Sequence, residues 1–475
     1  MPILNILASD EKQRIHTEAL RVLGKVGCIV DHPAALKQLE AAGARVDGAA
    51  GKAFFTERMV QDALAATPNR YRAAGRSAGD GYNVHAGMRP RMRCLGGALN
   101  WLSETAGENR PISMTDVHQM LVLADGLQQV DLVGTPFCAE FPSKTYDIHA
   151  LRWALSGTCK HIWGLCESSK NLPYQMELLQ AVCGGRDRLK IHKRISGIVC
   201  IIDPLKFPND EIERLNIYGD YQVPVKWTSS SMVGGNAPYT IAGALVQNVA
   251  QFLAALVITA VLRPGTPVVY YITLQLMDMQ KGFALFAAPE LMQITAAVAQ
   301  MAGHYRLPSA ITSISSTGSE KEQAIFQRSM GLYNCMLAGA SEINLCGSLD
   351  GGTFFSPEFA VLDDLLMGYL RSAGKRFAIS AESLAFAAIV RGIETGEYVS
   401  DSHTLQHLRR VKRFDSPLLD GSSHELWCQT GSRSLLARAR EKADHIIATH
   451  SVEPLDEKLE KELDRIVAAA DRALG

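Results

Sequence analysis

Aromatic and acidic residues recur in this sequence directly after short apolar runs, and chemistry is expected there first. Gly96, Gly97, Asn100 and Trp101 follow one run; Trp163 and Cys166 lead to Glu167; another run ends in Asp203–Pro204. Trp227 precedes Ser229, Ser230 and Ser231, Tyr270 and Tyr271 precede Gln275, and "GSLDGG" carries Asp350. Aromatic faces with a carboxylate nearby suit a quaternary ammonium ligand, which accepts no hydrogen bond and offers only a diffuse charge. Trp163 and Trp227 stand nearest the ends of their runs and are the best placed rings. The competing role for every one of these rings is to fill a core.

The stretch "SSSMVGGNAPYTIAGALVQN", residues 229–248, sets small residues ahead of an apolar helix. Backbone N–H groups around Gly234 and Gly235, at a helix start, can hold a carboxylate. A phosphate fits less well, because the loop lacks a Walker lysine and any basic neighbour. No G-x-S-x-G elbow surrounds the serines, so they serve the turn rather than nucleophilic attack. His149, His161 and His192 fall in separate units without zinc-ligand spacing, and no metal ligand is assigned. His403 and His407 have i, i+4 spacing but no third ligand nearby, which fits a polar helix face. No catalytic residue is singled out.

The elements that must position these groups repeat as apolar run, then helix. Strands are predicted at Met92–Leu95, Val130–Gly134, His161–Cys166, Ser196–Ile202, Val223–Thr228, Pro267–Leu274, Ala310–Ile314 and Ile343–Cys346. Strands alternating with helices pair in parallel through right-handed crossovers. Their number fits an α/β fold of the (β/α)8 TIM-barrel type, whose active face lies where the strands end. An open doubly wound sheet is the competitor, but no strand leads into G-x-G-x-x-G with an acidic partner. Residues 1–88 are expected to form a helical N-terminal cap, 89–373 the barrel, and 374–475 a helical C-terminal extension packed on it.

A net charge of −1 without a basic run argues against nucleic acid or an anionic membrane as partner. Ten scattered cysteines with no C-x-x-C point to a reducing cytoplasm. Asp10, Glu11 and Glu18 interrupt the first thirty residues and exclude a secretory apolar region. The most apolar window, Ala250–Leu262, is too short to span a bilayer and is expected to be a buried helix.

Several stretches, in order, resemble one family. "SSSMVGGNAPYTIAGALVQNVAQFLAALVITAVLRPGTPVVYY", "IHTEALRVLGKVGCIV", "LNWLSETAGENRPISMTDVHQMLVLADGL", "AGASEINLCGSLDGG" and "DSHTLQHLRRVKRFDSPLLD" are similar to segments of the trimethylamine methyltransferase family. That resemblance implies a (β/α)8 barrel that moves a methyl group from a methylated amine to Co(I) cobalamin. The cobalamin is carried by a separate corrinoid protein docked over the barrel mouth, not bound permanently by this chain. Trimethylamine members carry pyrrolysine in the region corresponding to Thr312–Glu322, where this sequence has standard residues only. Relatives without pyrrolysine include a glycine betaine methyltransferase. "GSEKEQA" stands where an aspartate-rich family motif is expected.

The expectation is therefore a quaternary-amine methyltransferase acting on glycine betaine or a related betaine, as a homo-oligomer. Its expected substrate-binding set is Asn100, Trp163, Glu167, Trp227, Ser229, Gly234, Gly235, Tyr270, Tyr271 and Asp350. In that picture the serine–glycine stretch receives the carboxylate and the rings hold the trimethylammonium group. The alternative is a betaine-binding or sensory barrel that has lost methyl transfer.

Overall fold

Short runs rich in Val, Ile and aromatic residues, each followed by a helix, close into a ring because every run is buried on both faces. The structure is a computed structural model that describes residues 4–77, 79–103, 107–313, 320–410 and 413–475. The barrel strands are β1 (Arg91–Cys94), β2 (Val130–Gly134), β3 (His161–Gly164), β4 (Ile195–Cys200), β5 (Val225–Val233), β6 (Val268–Asp278), β7 (Ala310–Thr312) and β8 (Glu342–Cys346). Each leads to a barrel helix: α1 (Met114–Gly126), α2 (Tyr146–Gly157), α3 (Leu172–Cys183, followed by a short helix Arg186–Ile191), α4 (Asn209–Asp220), α5 (Ile241–Leu262), α6 (Pro289–His304), α7 (Lys321–Ala338) and α8 (Pro357–Ala373).

Parallel pairing runs from β1 in sequence order to β6, and from β7 through β8 back to β1. The ring closes where Tyr270 of β6 bridges Ser309 in parallel, its N–H on the Pro308 carbonyl at 2.9 Å. The fold is thus the expected (β/α)8 barrel. Side-chain caps define the helix starts: Ser113 and Asp116 form a capping box on α1, and Thr240 accepts from the Gly243 N–H on α5.

Two strands differ from expectation. β5 and β6 stay paired to Val233↔Leu276, well past the predicted ends at Thr228 and Leu274. The serines therefore lie in a strand and alternate between its faces, instead of forming a turn. Beyond them, strand Phe283–Leu285 pairs antiparallel with the end of β6 and extends the barrel mouth on that side.

The cap also differs. Its helices Ser9–Lys25, Pro33–Ala41 and Glu57–Ala66 are joined by strands Cys28–Val30, Arg45–Asp47 and Lys52–Phe54. These form one sheet with Lys206–Phe207 from the β4–α4 connection, so the cap is mixed α/β rather than helical. Gly27, at φ 71°, turns the chain out of the first helix, and Ile29 then donates its N–H to the Leu205 carbonyl at 2.9 Å. A hairpin, Arg70–Ala73 with Tyr82–His85, brings Tyr71, Tyr82 and Val84 against inward-facing Leu132, Ile198 and Val269 and plugs the barrel floor.

The apolar window around Ala250–Leu262 belongs to a 22-residue helix, long and apolar enough to cross a membrane by length and composition. In the fold α5 is instead enclosed by the cap helices and the β5–β6 wall. Each fully buried Leu, Ile or Phe there contributes about 1.5–3 kcal/mol relative to exposure. Helices Leu435–Thr449 and Glu457–Leu474 return to the barrel and pack on α8, α1, α2 and α3. His450 to Asp125 at 2.8 Å and His149 to Asp471 at 3.1 Å fasten them. Between α8 and these helices, Phe377, Ile379, Phe386, Ile393 and Val399 are exposed.

Candidate active site

Alternation along each barrel strand decides which side chains meet inside. On β5, Lys226, Thr228 and Ser230 face the interior; on β6, Val269, Tyr271 and Thr273 do so. Arg93 comes from β1, Trp163 from β3, and Glu342 and Asn344 from β8. Deepest is an ion pair between Lys226 and Glu342, both fully buried, while the second oxygen of Glu342 is without a partner. His161, bonded through Nε2 to the Ser196 hydroxyl at 2.8 Å, is pushed down to about 3 by burial and is neutral.

Above this layer the Arg93 guanidinium carbon stands over the Trp163 ring, 3.8 Å from its centroid. Tyr271 meets the same indole edge-on at 6.2 Å, and its hydroxyl is 3.4 Å from the Thr312 hydroxyl. Burial draws Arg93 below its ordinary value, with Tyr271 and Glu342 acting in the other direction. Gly96, at φ 121°, passes directly over the stack: a Cβ there would stand 3.4 Å from both Arg93 Cζ and the indole.

These groups form the floor of a cavity of about 300 Å3 at the strand ends. Thr228, Ser230, Thr273 and Gln275 give it a neutral polar wall, and Leu285, Phe286, Leu291 and Val298 an apolar one reaching α6. Gly97, Gly351 and Gly352 complete the rim. Arg93 is the one charged residue among the described residues lining the cavity. Ile314–Ser319, the core of the stretch expected from the resemblance to correspond to the pyrrolysine region, lie outside the described residues; they include no acidic residue.

Of the ten sequence-predicted site residues, Trp163 and Tyr271 meet at this cavity. Trp227 does not. It points outward, fully buried between β5 and α5, with Nε1–H donated to Thr259 Oγ1 at 2.9 Å and Phe207 edge-on at 5.5 Å. Tyr270 also faces outward, stacked on Phe252 at 3.9 Å and donating its hydroxyl to Asn248 at 2.5 Å. Ser229 accepts from Gln251 at 3.1 Å behind the strand, while its neighbour Ser230 lines the cavity. One residue of register separates the two outcomes for each pair.

The carboxylate cradle expected at Gly234 and Gly235 is also corrected. Their N–H groups are used inside the turn, on the carbonyls of Ala237 at 3.0 Å and Met232 at 2.9 Å. The left-handed φ of 87° at Gly234 serves that turn. Asn100 belongs to a hairpin over the mouth, donating its N–H to the Thr353 carbonyl at 3.1 Å. Glu167 is exposed and accepts from the Tyr146 hydroxyl at 2.7 Å, and Asp350 is exposed beside the rim glycines without lining the cavity.

Sequence reasoning missed Arg93, Lys226 and Phe286. A signal for the first two existed: a cation in the middle of an apolar run in a barrel strand, where neither face is solvent.

Comparison with known proteins agrees with this architecture. The family model described as trimethylamine methyltransferase (MTTB) matches residues 1–475. The chain is 28% identical over 471 residues to trimethylamine methyltransferase MttB of Desulfitobacterium hafniense, covering 98% of this chain and 94% of that one. It is 24% identical over 480 residues to a glycine betaine methyltransferase of D. hafniense strain Y51, covering 100% and 99%. The crystal structure of the Methanosarcina barkeri monomethylamine methyltransferase shares the fold, with a TM-score of 0.55 at 14% identity over 93% of this chain and 88% of that one. A (β/α)8 barrel with its cavity at the strand ends, matched from first residue to last by one family, makes the chain a methyltransferase of the trimethylamine methyltransferase (MTTB) family.

Proposed function

We propose that this enzyme moves a methyl group from a quaternary amine, glycine betaine or a related betaine, to Co(I) cobalamin presented by a separate corrinoid protein. One observation carries the reading: the cavity offers aromatic rings and neutral hydroxyls but no carboxylate among its described lining residues. A quaternary nitrogen already bears its charge, so the C–N bond can break with its electron pair left on nitrogen and no proton donor is required. A carboxylate cage would stabilise the cationic ground state more than the transition state, in which that charge is disappearing. Neutral walls avoid this penalty and leave positioning as the main contribution.

Two further observations support the assignment. Thr312–Glu322 holds standard residues only, which removes the pyrrolysine route to activating a tertiary amine. At the open end, Leu99, Tyr239, Met279 and Phe283 are exposed, an apolar rim suited to a docking corrinoid protein.

The test is a methyl-transfer assay with Co(I) cobalamin, followed by its visible spectrum, across glycine betaine, proline betaine, carnitine, γ-butyrobetaine and trimethylamine. Methylation from at least one betaine and none from trimethylamine is expected. Transfer from trimethylamine alone would overturn the substrate class. Tight betaine binding with no transfer, even with a corrinoid protein supplied, would indicate a binding or sensory protein.

A further inference from the structure

Arg93 is a buried charge in the barrel interior that has no carboxylate of its own among the described residues. Only 1% of it is exposed, and its Nε and Nη1 atoms are buried without hydrogen-bond partners. Its neighbours on the inner face do not neutralise it, since the buried carboxylate of Glu342 is already paired with Lys226. His161 is neutral. A buried guanidinium does not escape by losing its proton, so the interior holds one positive charge in excess. Asn344, two residues beyond Glu342 on the same strand face, is likewise buried with both amide atoms unpartnered.

The Trp163 ring covers the guanidinium from one side, and Tyr271 stands at the edge of that ring. What Trp163 cannot supply is an acceptor in the plane of the fork. A carboxylate can, through two parallel N–H···O bonds.

We propose that Arg93 is the anion anchor of the cavity: it receives the substrate's carboxylate at the floor and so restricts the site to zwitterionic amines. This rests on the cavity being the quaternary-amine site. With the carboxylate on Arg93, the trimethylammonium end points away from the floor cation, toward the neutral wall and the mouth. A methyl group is thereby presented to the acceptor side. A simple cation such as choline would meet the unpaired guanidinium and gain nothing in return.

Three probes separate the two ends of the ligand: glycine betaine, choline, and 3,3-dimethylbutanoate, which keeps the carboxylate and replaces trimethylammonium with a neutral tert-butyl group. Titration calorimetry on the wild-type protein is expected to show binding of glycine betaine and 3,3-dimethylbutanoate, with choline much weaker. Arg93→Gln should weaken both carboxylates by roughly 10- to 150-fold, the range for a hydrogen bond to a charged group. It should leave choline unchanged or improved. Arg93→Lys should restore part of the carboxylate affinity and none of any choline difference; if Arg93→Gln does not fold, the lysine variant and the wild-type ranking decide. Choline binding the wild type as tightly as glycine betaine would overturn the anchor, as would equal losses for all three probes. Binding of 3,3-dimethylbutanoate but of no quaternary amine would leave the anchor standing and remove the function proposed above.

Discussion

Replacing Trp227 with alanine separates a core role from a ligand role for a residue that looks, in sequence, like half of an aromatic cage. Trp227 has no exposed surface, packs edge-on to Phe207 and is tied to Thr259 by one hydrogen bond of 2.9 Å. Truncating a buried tryptophan costs about 3–5 kcal/mol, most of it for the cavity left behind. The Thr259 hydroxyl also donates to the Ala255 carbonyl at 2.7 Å, so no buried donor is stranded and no large further penalty is added. The expected result is a clearly lower urea midpoint with betaine affinity within twofold of wild type, measured well below the melting range. Trp163→Ala should behave in the opposite way. It removes the surface on which Arg93 lies and opens the cavity floor, weakening betaine binding by at least the roughly 0.5–2 kcal/mol of a cation–ring contact. An intact urea midpoint with weakened betaine binding in Trp227→Ala would refute the outward orientation and the reasoning built on it.

Three other perturbations follow from the same geometry. Lys226→Met should destabilise the barrel by about 3–5 kcal/mol by stranding the Glu342 carboxylate, and Lys226→Met with Glu342→Leu should recover most of that loss in chemical denaturation. Gly234→Val should lower thermal stability, because φ is 87° and a Cβ would come within 2.9 Å of Tyr239, while the betaine-to-choline affinity ratio stays as in wild type. Burial pushes the Asp125 carboxyl up, but hydrogen bonds from His450, Thr158 and the Cys159 N–H outweigh it and hold it below its ordinary value. Its stabilisation is therefore present above the ordinary carboxylate value and lost as pH falls through the lower folded value. Asp125→Asn should flatten that part of the acid-unfolding curve.

The barrel was legible in the sequence because its signal is local. Eight apolar runs of strand length, each followed by a helix of ordinary length, leave parallel closure as the economical arrangement. The place of the cavity at the strand ends followed from the same pattern, and Trp163 and Tyr271, picked out at those strand ends, line it. The small strands of the cap were not legible. Cys28–Val30 is three residues long and becomes a strand only by pairing with Lys52–Phe54 and with Lys206–Phe207, far along the chain.

The facing of each barrel side chain was decided by tertiary structure alone. In a sheet with one wet face, polarity alternates and marks the inside; in a barrel wrapped by helices both faces are dry, and the alternation loses its contrast. Trp227 and Lys226 show the consequence. Polarity would send the lysine outward and keep the ring for the interior, yet the lysine is inside because Glu342, 116 residues away, meets it there. The ring is outside because Phe207 packs edge-on against it there and α5 offers the Thr259 hydroxyl. Arg93 likewise carries one local mark, a cation inside a barrel strand, and that mark does not say what the cation is for. Its meaning comes from Trp163 closing one face while no carboxylate among the described residues pairs with it. Sequence sets which groups are available; the closing of the ring sets which of them are left without a partner, and a buried charge without a partner is where a ligand of opposite charge gains most.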